Sequence, residues 1–158
     1  MKTVAELLRT KSNTFLYSVD ADDSLLDGLR IMAEKGVGAL VVLSGGRMVG
    51  IVSERDYVRK AALADRSMLD AKVNTIMTRE VISVSPRDNL QYCMQLMTER
   101  RLRHLPVLAE GELIGLLSIG DLVKETIAEQ AELIRQINED GMALKQTSDD
   151  VEKMAGRV

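Results

Sequence analysis

Residues 50–56 of the chain are GIVSERD, and residues 115–121 are GLLSIGD. Outward from this pair, residues 19–58 align with residues 84–123 without a gap. The identical pairs include Leu25/Leu90, Met32/Met97, Leu40/Leu105, Gly50/Gly115, Ser53/Ser118 and Asp56/Asp121. So many identities in one register predict that the chain is a tandem duplication of one structural unit.

Each copy is predicted to fold as β-α-β-β-α, which gives an α/β (α+β) fold class. Short strands near 15–19 and 81–84 precede amphipathic helices, and buried strands follow at 39–43 and 105–108. A tight turn then leads into a second strand, and another helix begins at Ser53 or Ser118. Because neither copy can bury its small sheet alone, the two should pack together as a pseudo-two-fold module.

The duplication also predicts the domain boundaries. We assign residues 1–66 to the first repeat with a lead-in helix, and residues 67–128 to the second repeat. Residues 129–158 form a C-terminal helix and a charged tail. The charged tail beyond Gly141 lacks strong periodicity, so we expect it to be loose or dependent on a partner.

The composition excludes several classes of protein. The net charge is −3, whereas nucleic-acid-binding proteins usually carry a basic surplus. The single cysteine, Cys93, excludes an internal disulfide and a multi-cysteine metal site, and His104 is the single histidine. No apolar run is long enough to span a membrane, and the N-terminus lacks a targeting pattern. These features predict a cytoplasmic protein with no membrane or nucleic-acid partner, and they make an enzyme the less expected class.

The Ser-x-x-Asp element, Ser53/Asp56 and Ser118/Asp121, permits two interpretations. It is a common capping box at the start of a helix. It also follows a glycine-led strand in both copies, where a missing side chain lets a ligand approach closely. An aspartate fixed there can accept hydrogen bonds from ribose hydroxyls, while free N–H groups at a helix start attract phosphate. The two roles are compatible.

Four segments carry a family resemblance: MAEKGVGALVVL at 32–43, GIVSERD at 50–56, RHLPVL at 103–108 and GLLSIGD at 115–121. They resemble the two copies of a cystathionine-β-synthase (CBS) domain pair, often called a Bateman module. The resemblance covers about residues 3–128, and the overall pattern is similar to stand-alone bacterial CBS-pair proteins.

The resemblance implies a ligand and an assembly. Such modules bind adenine nucleotides in the clefts between their repeats, so AMP, ATP or NAD(H) is the expected regulatory ligand and S-adenosylmethionine a less expected one. No metal is expected. Two modules pair into a homodimer, a disk of four CBS repeats, and ligand occupancy is transmitted to a regulated protein that the sequence does not identify.

The resemblance also implies two sites that combine both repeats. In the first, Asp56 holds the ribose, together with residues Ser53, Arg55, Thr78, Val81, Ile82, Leu102, Arg103 and His104. In the second, Asp121 has that role, together with residues Phe15, Leu16, Tyr17, Val37, Gly38, Ala39 and Ser118. Basic residues surround the first site and glycines the second, so we expect the two to be inequivalent.

Three functions remain open at this point. The leading hypothesis is a non-catalytic sensor that binds an adenine nucleotide and signals through dimer geometry. The second is a constitutive dimeric scaffold that does not respond to ligand. The third is a small nucleotide-hydrolysing enzyme, which ranks last because each cleft offers a single motif aspartate.

Overall fold

The computed structural model describes residues 2–11, 16–63 and 66–156. The first part of the chain contains α1 (Val4–Thr10), β1 (Ser18–Asp20), α2 (Leu25–Lys35), β2 (Ala39–Ser44), β3 (Arg47–Ser53) and α3 (Glu54–Asp56). The chain continues from α3 as a π-helical segment, Tyr57–Ala62, and then forms 3₁₀ turns at Arg66–Asp70 and Val73–Thr75. The second part contains α4 (Leu90–Arg100), β4 (His104–Ala109), β5 (Glu112–Ser118) and α5 (Ile119–Ala155).

The predicted mixture of helices and strands is confirmed, with one small sheet in each repeat. In the first sheet, β2 pairs in parallel with β1 and antiparallel with β3. The second sheet is the antiparallel pair β4–β5. Both antiparallel ladders shift register at matching positions, Val42/Leu43 and Val107/Leu108. The duplication seen in the sequence is therefore also present in the backbone.

The strand expected at 81–84 is reduced to one parallel bridge, between Val84 and Val107. A proline explains this difference. In the first repeat, the Val41 amide donates to the Tyr17 carbonyl at 3.3 Å and helps to hold β1 against β2. The matching residue in the second repeat is Pro106, which has no N–H to donate, so the ladder cannot extend in that direction.

The segments that lead into the two repeats are exchanged between them. Helix α1 bonds to the second repeat, since the Val4 amide donates to the Asp88 carbonyl at 2.8 Å and the Ala5 amide to the Pro86 carbonyl at 3.0 Å. Conversely, the Val73 amide donates to the Asp23 carbonyl of the first repeat at 2.8 Å. These bonds cross the boundary predicted between residues 66 and 67.

The exchange continues at the edge of β3. Ile51 and Thr78 form two reciprocal backbone hydrogen bonds, of 3.0 and 2.8 Å. The close approach requires a glycine beside them, because a Cβ on Gly50 would lie 2.8 Å from the Thr78 carbonyl oxygen. The chain that enters the second repeat is thus fixed against the last strand of the first.

Two compact units divide the chain, residues 1–119 and residues 120–158. The core of the first unit is built from buried aliphatic residues on both sheets and helices, among them Leu25, Leu40, Val52, Val73 and Leu105. The domain boundaries proposed from the sequence remain a prediction.

Helix α5 runs 37 residues and continues through Gly141 to Ala155. The segment beyond Gly141, expected to be loose or dependent on a partner, is helical as far as Ala155. Residues 142–155 contain no proline and many good helix formers, which allows the helix to continue. All residues from 127 to 156 are exposed. In the described part of the chain, no helix combines the length and the apolar character needed to cross a membrane.

Candidate functional site

A cleft of about 520 Å³ opens between the repeats in the first unit. The end of β3, helix α3 and the following π-helical segment form one wall, and the turn between α4 and β4 forms another. The cleft is lined by Gly38, Ile51, Ser53, Glu54, Arg55, Asp56, Arg59, Lys60, Thr78, Arg101, Leu102, Arg103 and His104. Its volume lies within the range of about 300–1,000 Å³ that is usual for small-molecule sites.

Asp56 is held by the predicted capping box. Its Oδ2 accepts hydrogen bonds from the Ser53 amide at 2.9 Å and from Ser53 Oγ at 3.1 Å, while the Asp56 amide donates to Ser53 Oγ at 3.3 Å. Lys60 Nζ lies 3.2 Å from the other oxygen, Oδ1. A carboxylate oxygen can accept more than one hydrogen bond, so Oδ1 can still receive a ligand hydroxyl. The side chain is therefore oriented by the cap and still able to bind.

The cleft is basic although the whole chain carries a net charge of −3. Five Lys and Arg side chains line it, against the carboxylates of Glu54 and Asp56. Two of these five side chains already make hydrogen bonds within the chain. Lys60 Nζ also donates to the Ile76 carbonyl at 3.0 Å, and Arg55 Nη1 donates to the Arg101 carbonyl at 3.4 Å.

The other three guanidinium groups belong to Arg59, Arg101 and Arg103. Within the described ranges, no hydrogen bond or ion pair engages these side chains. Guanidinium groups match the geometry of phosphate oxygens and bind them in pairs of hydrogen bonds. This wall of the cleft can therefore receive a phosphorylated ligand.

Arg101 reaches the cleft from a left-handed backbone conformation, with φ of 55°. It ends α4 as Gly36 ends α2, and Gly36 has φ of 64°. Glycine adopts this conformation without a steric cost, whereas a residue with a Cβ loses about 1 kcal/mol or more. The second repeat therefore places a charged side chain where the first has only backbone.

Seven residues predicted for the first site line this cleft together: Ser53, Arg55, Asp56, Thr78, Leu102, Arg103 and His104. The other two, Val81 and Ile82, lie outside its lining. The chain leaves the edge of β3 after Thr78 and turns, with the Val81 amide donating to the Arg79 carbonyl at 3.1 Å. This turn carries residues 81 and 82 away from the strand edge.

Gly38 was predicted for the second site, but the structure places it in the first cleft. The Glu54 amide donates to the Gly38 carbonyl at 3.0 Å, and the Ile119 amide donates to the Arg103 carbonyl at 2.8 Å in the matching position of the second repeat. A Cβ on Gly38 would lie 3.8 Å from His104 Cε1. Gly38 and Arg103 occupy matching positions in the two repeats, and both line this cleft.

The remaining residues of the second predicted site are distributed over both units. Phe15 lies outside the described residues. Leu16, Tyr17 and Val37 are half-buried in the first unit, Ala39 is buried there, and Ser118 is the last residue of β5. Asp121 lies in the first turn of α5 and belongs to the second unit. The second site therefore remains a prediction.

Five lining residues are absent from the predicted sites: Ile51, Glu54, Arg59, Lys60 and Arg101. The alternation of side chains along a strand could have identified Ile51, because it lies on the same face of β3 as Ser53. Glu54 lies between Ser53 and Asp56, inside the motif itself. Among the described residues, no group of three or more His, Cys, Asp or Glu is placed to hold a metal ion.

Comparison with known proteins identifies the class to which this fold and cleft belong. The sequence model of the CBS domain matches residues 4–62 and residues 73–128. These matches span more than half of the chain, and the chain belongs to the CBS domain family. The family resemblance stated from the sequence is thus confirmed.

Individual relatives match most of the chain. The mitochondrial CBS domain-containing protein CBSX3 of Arabidopsis thaliana is 37% identical over 145 residues, which is 86% of this chain and 70% of that protein. A solved structure of a CBS-domain protein from Burkholderia ambifaria MC40-6 is similar with a TM-score of 0.78 at 51% identity. That similarity covers 82% of this chain and 96% of the other.

A more distant structure shares the fold at 18% identity, with a TM-score of 0.71 over 82% of this chain and 98% of the other. It is the CBS domain pair of protein MJ0100, in complex with 5′-methylthioadenosine and S-adenosyl-L-methionine.

Proposed function

We propose that the cleft at Asp56 binds an adenine nucleotide and that the protein is a non-catalytic regulatory module. The observation that carries the proposal is that one cleft holds both a fixed carboxylate and several guanidinium groups. Asp56 is fixed with an oxygen able to accept ribose hydroxyls, and the uncommitted guanidinium groups of Arg59, Arg101 and Arg103 surround the same space.

The ligand is expected to lie with its ribose on Asp56 Oδ1 and its phosphates toward these arginines. Its adenine then lies against the apolar side chains of Ile51 and Leu102, next to the backbone around Thr78. A base placed there can exchange hydrogen bonds with main-chain groups and needs no aromatic partner. The guanidinium groups favour AMP, ATP or NAD(H) over S-adenosylmethionine, which carries no phosphate.

The MJ0100 domain pair supports an adenosine-containing ligand, since both molecules in that complex contain adenosine. The reach of both repeats into one cleft supports a regulatory role, because a ligand that contacts both can favour one arrangement of them over another. We further propose that two modules form a homodimer, a disk of four CBS repeats, that passes ligand occupancy to a protein partner.

Titration calorimetry with AMP, ADP, ATP, NAD and S-adenosylmethionine tests the proposal on the full chain. We expect Asp56→Asn to weaken nucleotide binding by about tenfold or more, because a charged hydrogen bond contributes about 1.5–3 kcal/mol. Asp88→Asn is the matched control. Asp88 Oδ2 also accepts from the amide three residues earlier, Ser85 N at 2.7 Å, but Asp88 is not among the cleft residues.

The two variants separate a ligand effect from the loss of a cap. Equal weakening by Asp56→Asn and Asp88→Asn would show that a structural change is responsible and would contradict the proposed site. An absence of heat and of any melting shift with all five ligands at millimolar concentration would contradict nucleotide binding itself.

A further inference from the structure

The second unit presents an apolar stripe along one face of α5, and this stripe follows a seven-residue repeat. With Ile127 as position a of an abcdefg heptad, the a positions are 127, 134, 141, 148 and 155, and the d positions are 130, 137, 144 and 151. Large apolar residues occupy most of these positions: Ile127, Ile134, Ile137, Leu144 and Val151. Each of them is 56% or more exposed.

The opposite face of the same helix is charged and internally bonded. Arg135, at a b position, donates to the carboxylates of Glu132 and Glu139, which are both at f positions. Gln136, at a c position, donates to Glu132 at 3.1 Å. Ion pairs within the helix thus lie away from the stripe, as they do on the outer face of a coiled coil.

A helix gains most of its stability in a protein by burying its apolar face. Over residues 127–156 every side chain of α5 is exposed, so the described chain supplies no such burial there. Gly141, at an a position, adds a cost of about 1 kcal/mol to the isolated helix. The stripe therefore requires a covering partner.

We propose that a second copy of this chain covers the stripe, and that residues 127–155 of two copies form a parallel, in-register two-stranded coiled coil. Charge complementarity selects this partner and this direction. In a parallel pair, position g of one helix faces position e of the other, five residues further along. Asp140 occupies such a g position and Lys145 the matching e position, so two identical helices form this attractive pair twice.

The a and d layers fit the same arrangement. Gly141 and Ser148 are small and let the helices approach closely, and a Cβ on Gly141 would meet no atom of its own chain within 4 Å. Gln130 supplies a polar d layer, and polar residues in such a seam fix the register of two helices. No residue of this coiled-coil interface lines the nucleotide cleft, so a failed test of the coiled coil leaves the proposed function unaffected.

Cysteine cross-linking in the full chain tests the proposal. Leu144→Cys places a thiol in a d layer, where it faces its own copy in a parallel, in-register pair, and Ile137→Cys and Val151→Cys do the same. Met142→Cys is the matched control, because Met142 is as exposed as Leu144, at 71% against 73%, but occupies a b position. The native Cys93 is buried, so the unmodified chain serves as the blank.

With oxidised glutathione, we expect each d-position variant to form disulfide-linked dimer at least about tenfold faster than Met142→Cys, because a disulfide requires Cβ atoms within about 4.5 Å. Equal rates at 142 and 144, or no dimer from any variant, would overturn the proposal. In an antiparallel pair an a position faces a d position, so cross-linking between Ile134→Cys and Val151→Cys chains, without linkage of either to itself, would show an antiparallel pair and would overturn it as well.

A charge exchange tests the parallel register directly. In the Leu144→Cys background, Asp140→Lys should slow dimer formation several-fold, since it places two lysines at each g–e contact. Adding Lys145→Asp should restore the rate, because it recreates the attractive pair with the signs reversed. A double variant as slow as the single one would overturn the proposed g–e contact.

Discussion

At the scale of single residues, Gly28 and Tyr57 depend on each other. The Tyr57 hydroxyl donates to the Leu25 carbonyl at 2.7 Å, and a Cβ on Gly28 would lie 2.3 Å from that hydroxyl oxygen. Burial and, to a lesser extent, the nearby Asp27 carboxylate raise the pKa of Tyr57 to about 12, so the phenol stays protonated and donates throughout the neutral range. A small residue in α2 therefore makes room for a buried polar one in the π-helical segment.

Replacing Gly28 by alanine should lower the free energy of unfolding by about 1–3 kcal/mol, because the added methyl overlaps the Tyr57 hydroxyl. Chemical denaturation measures this loss. In a Tyr57→Phe background the overlapping atom is absent, so the same change should cost much less. An equal loss in both backgrounds would contradict the assigned contact.

Arg101 combines a cost to stability with a charge in the cleft. Arg101→Gly should raise the free energy of unfolding by about 0.5–1 kcal/mol, because glycine accepts φ of 55° without a steric cost. The same variant should weaken nucleotide binding several-fold, since it removes a guanidinium group. Denaturation and calorimetry on one sample measure both effects.

Gly36→Arg is the converse control at the matching position of the first repeat. A Cβ there would meet no atom within 4 Å, so its expected loss of stability reports the backbone conformation alone. A destabilised Arg101→Gly variant, or one with unchanged affinity, would contradict the double role of Arg101.

At the scale of elements, each exchanged lead-in segment contacts a glycine of the other repeat, but the contacting atoms differ. Gly50 faces the Thr78 carbonyl oxygen at 2.8 Å, whereas Gly115 faces the Leu8 side chain, with Cδ2 at 2.9 Å. A backbone carbonyl engaged in the Ile51 hydrogen bond cannot move aside, whereas a leucine can change its rotamer.

Gly50→Ala should therefore destabilise the protein by about 2 kcal/mol or more, and Gly115→Ala by less than about 1 kcal/mol. Thermal and chemical denaturation of the two variants measure the difference. Because the two glycines occupy matching positions in the repeats, each variant is the control for the other. Equal losses of unfolding free energy in the two variants would contradict the assigned difference between a rigid backbone contact at Gly50 and a movable side-chain contact at Gly115.

The elements show how far the sequence could predict the fold. The duplication, the paired Ser-x-x-Asp motifs and the helix and strand order depend on local patterns, and these were predictable. The short bridge at Val84 was also accessible in principle, because Pro106 stands in the matching donor position. The exchange of lead-in segments was not, because it is a long-range pairing that neither segment's own pattern specifies.

The residues of the site were likewise predictable only where local motifs specify them. Asp56, Ser53 and the Arg103–His104 pair came from motif positions, and the structure brings them to one cleft. Val81 and Ile82 do not line this cleft because a turn after Thr78 redirects the chain, and Gly38 lines it because it lies between Glu54 and His104. The length of α5 was missed because the apolar stripe beyond Gly141 follows a heptad with small residues in two of its layers.

At the scale of the whole molecule, the proposed ligand site and the proposed coiled coil lie in different parts of the chain. Exchange of lead-in segments brings Thr78 and the turn before β4 to the capping box of the first repeat, which creates a cleft that neither repeat contains alone. The long helix at the end of the second repeat then offers a separate surface for a second copy. Ligand binding and the pairing of repeats into a disk are thus assigned to the first unit of the chain, and the coiled coil to the second.

The central claim is that an adenine nucleotide binds at Asp56. The most direct measurement is a crystal structure of the full chain with ATP or AMP bound. We expect ribose hydroxyls within hydrogen-bond distance of the Asp56 carboxylate, and phosphate oxygens on at least one of Arg59, Arg101 and Arg103. A nucleotide bound elsewhere, or an Asp56 carboxylate that contacts no ligand at saturating concentration, would contradict this expectation.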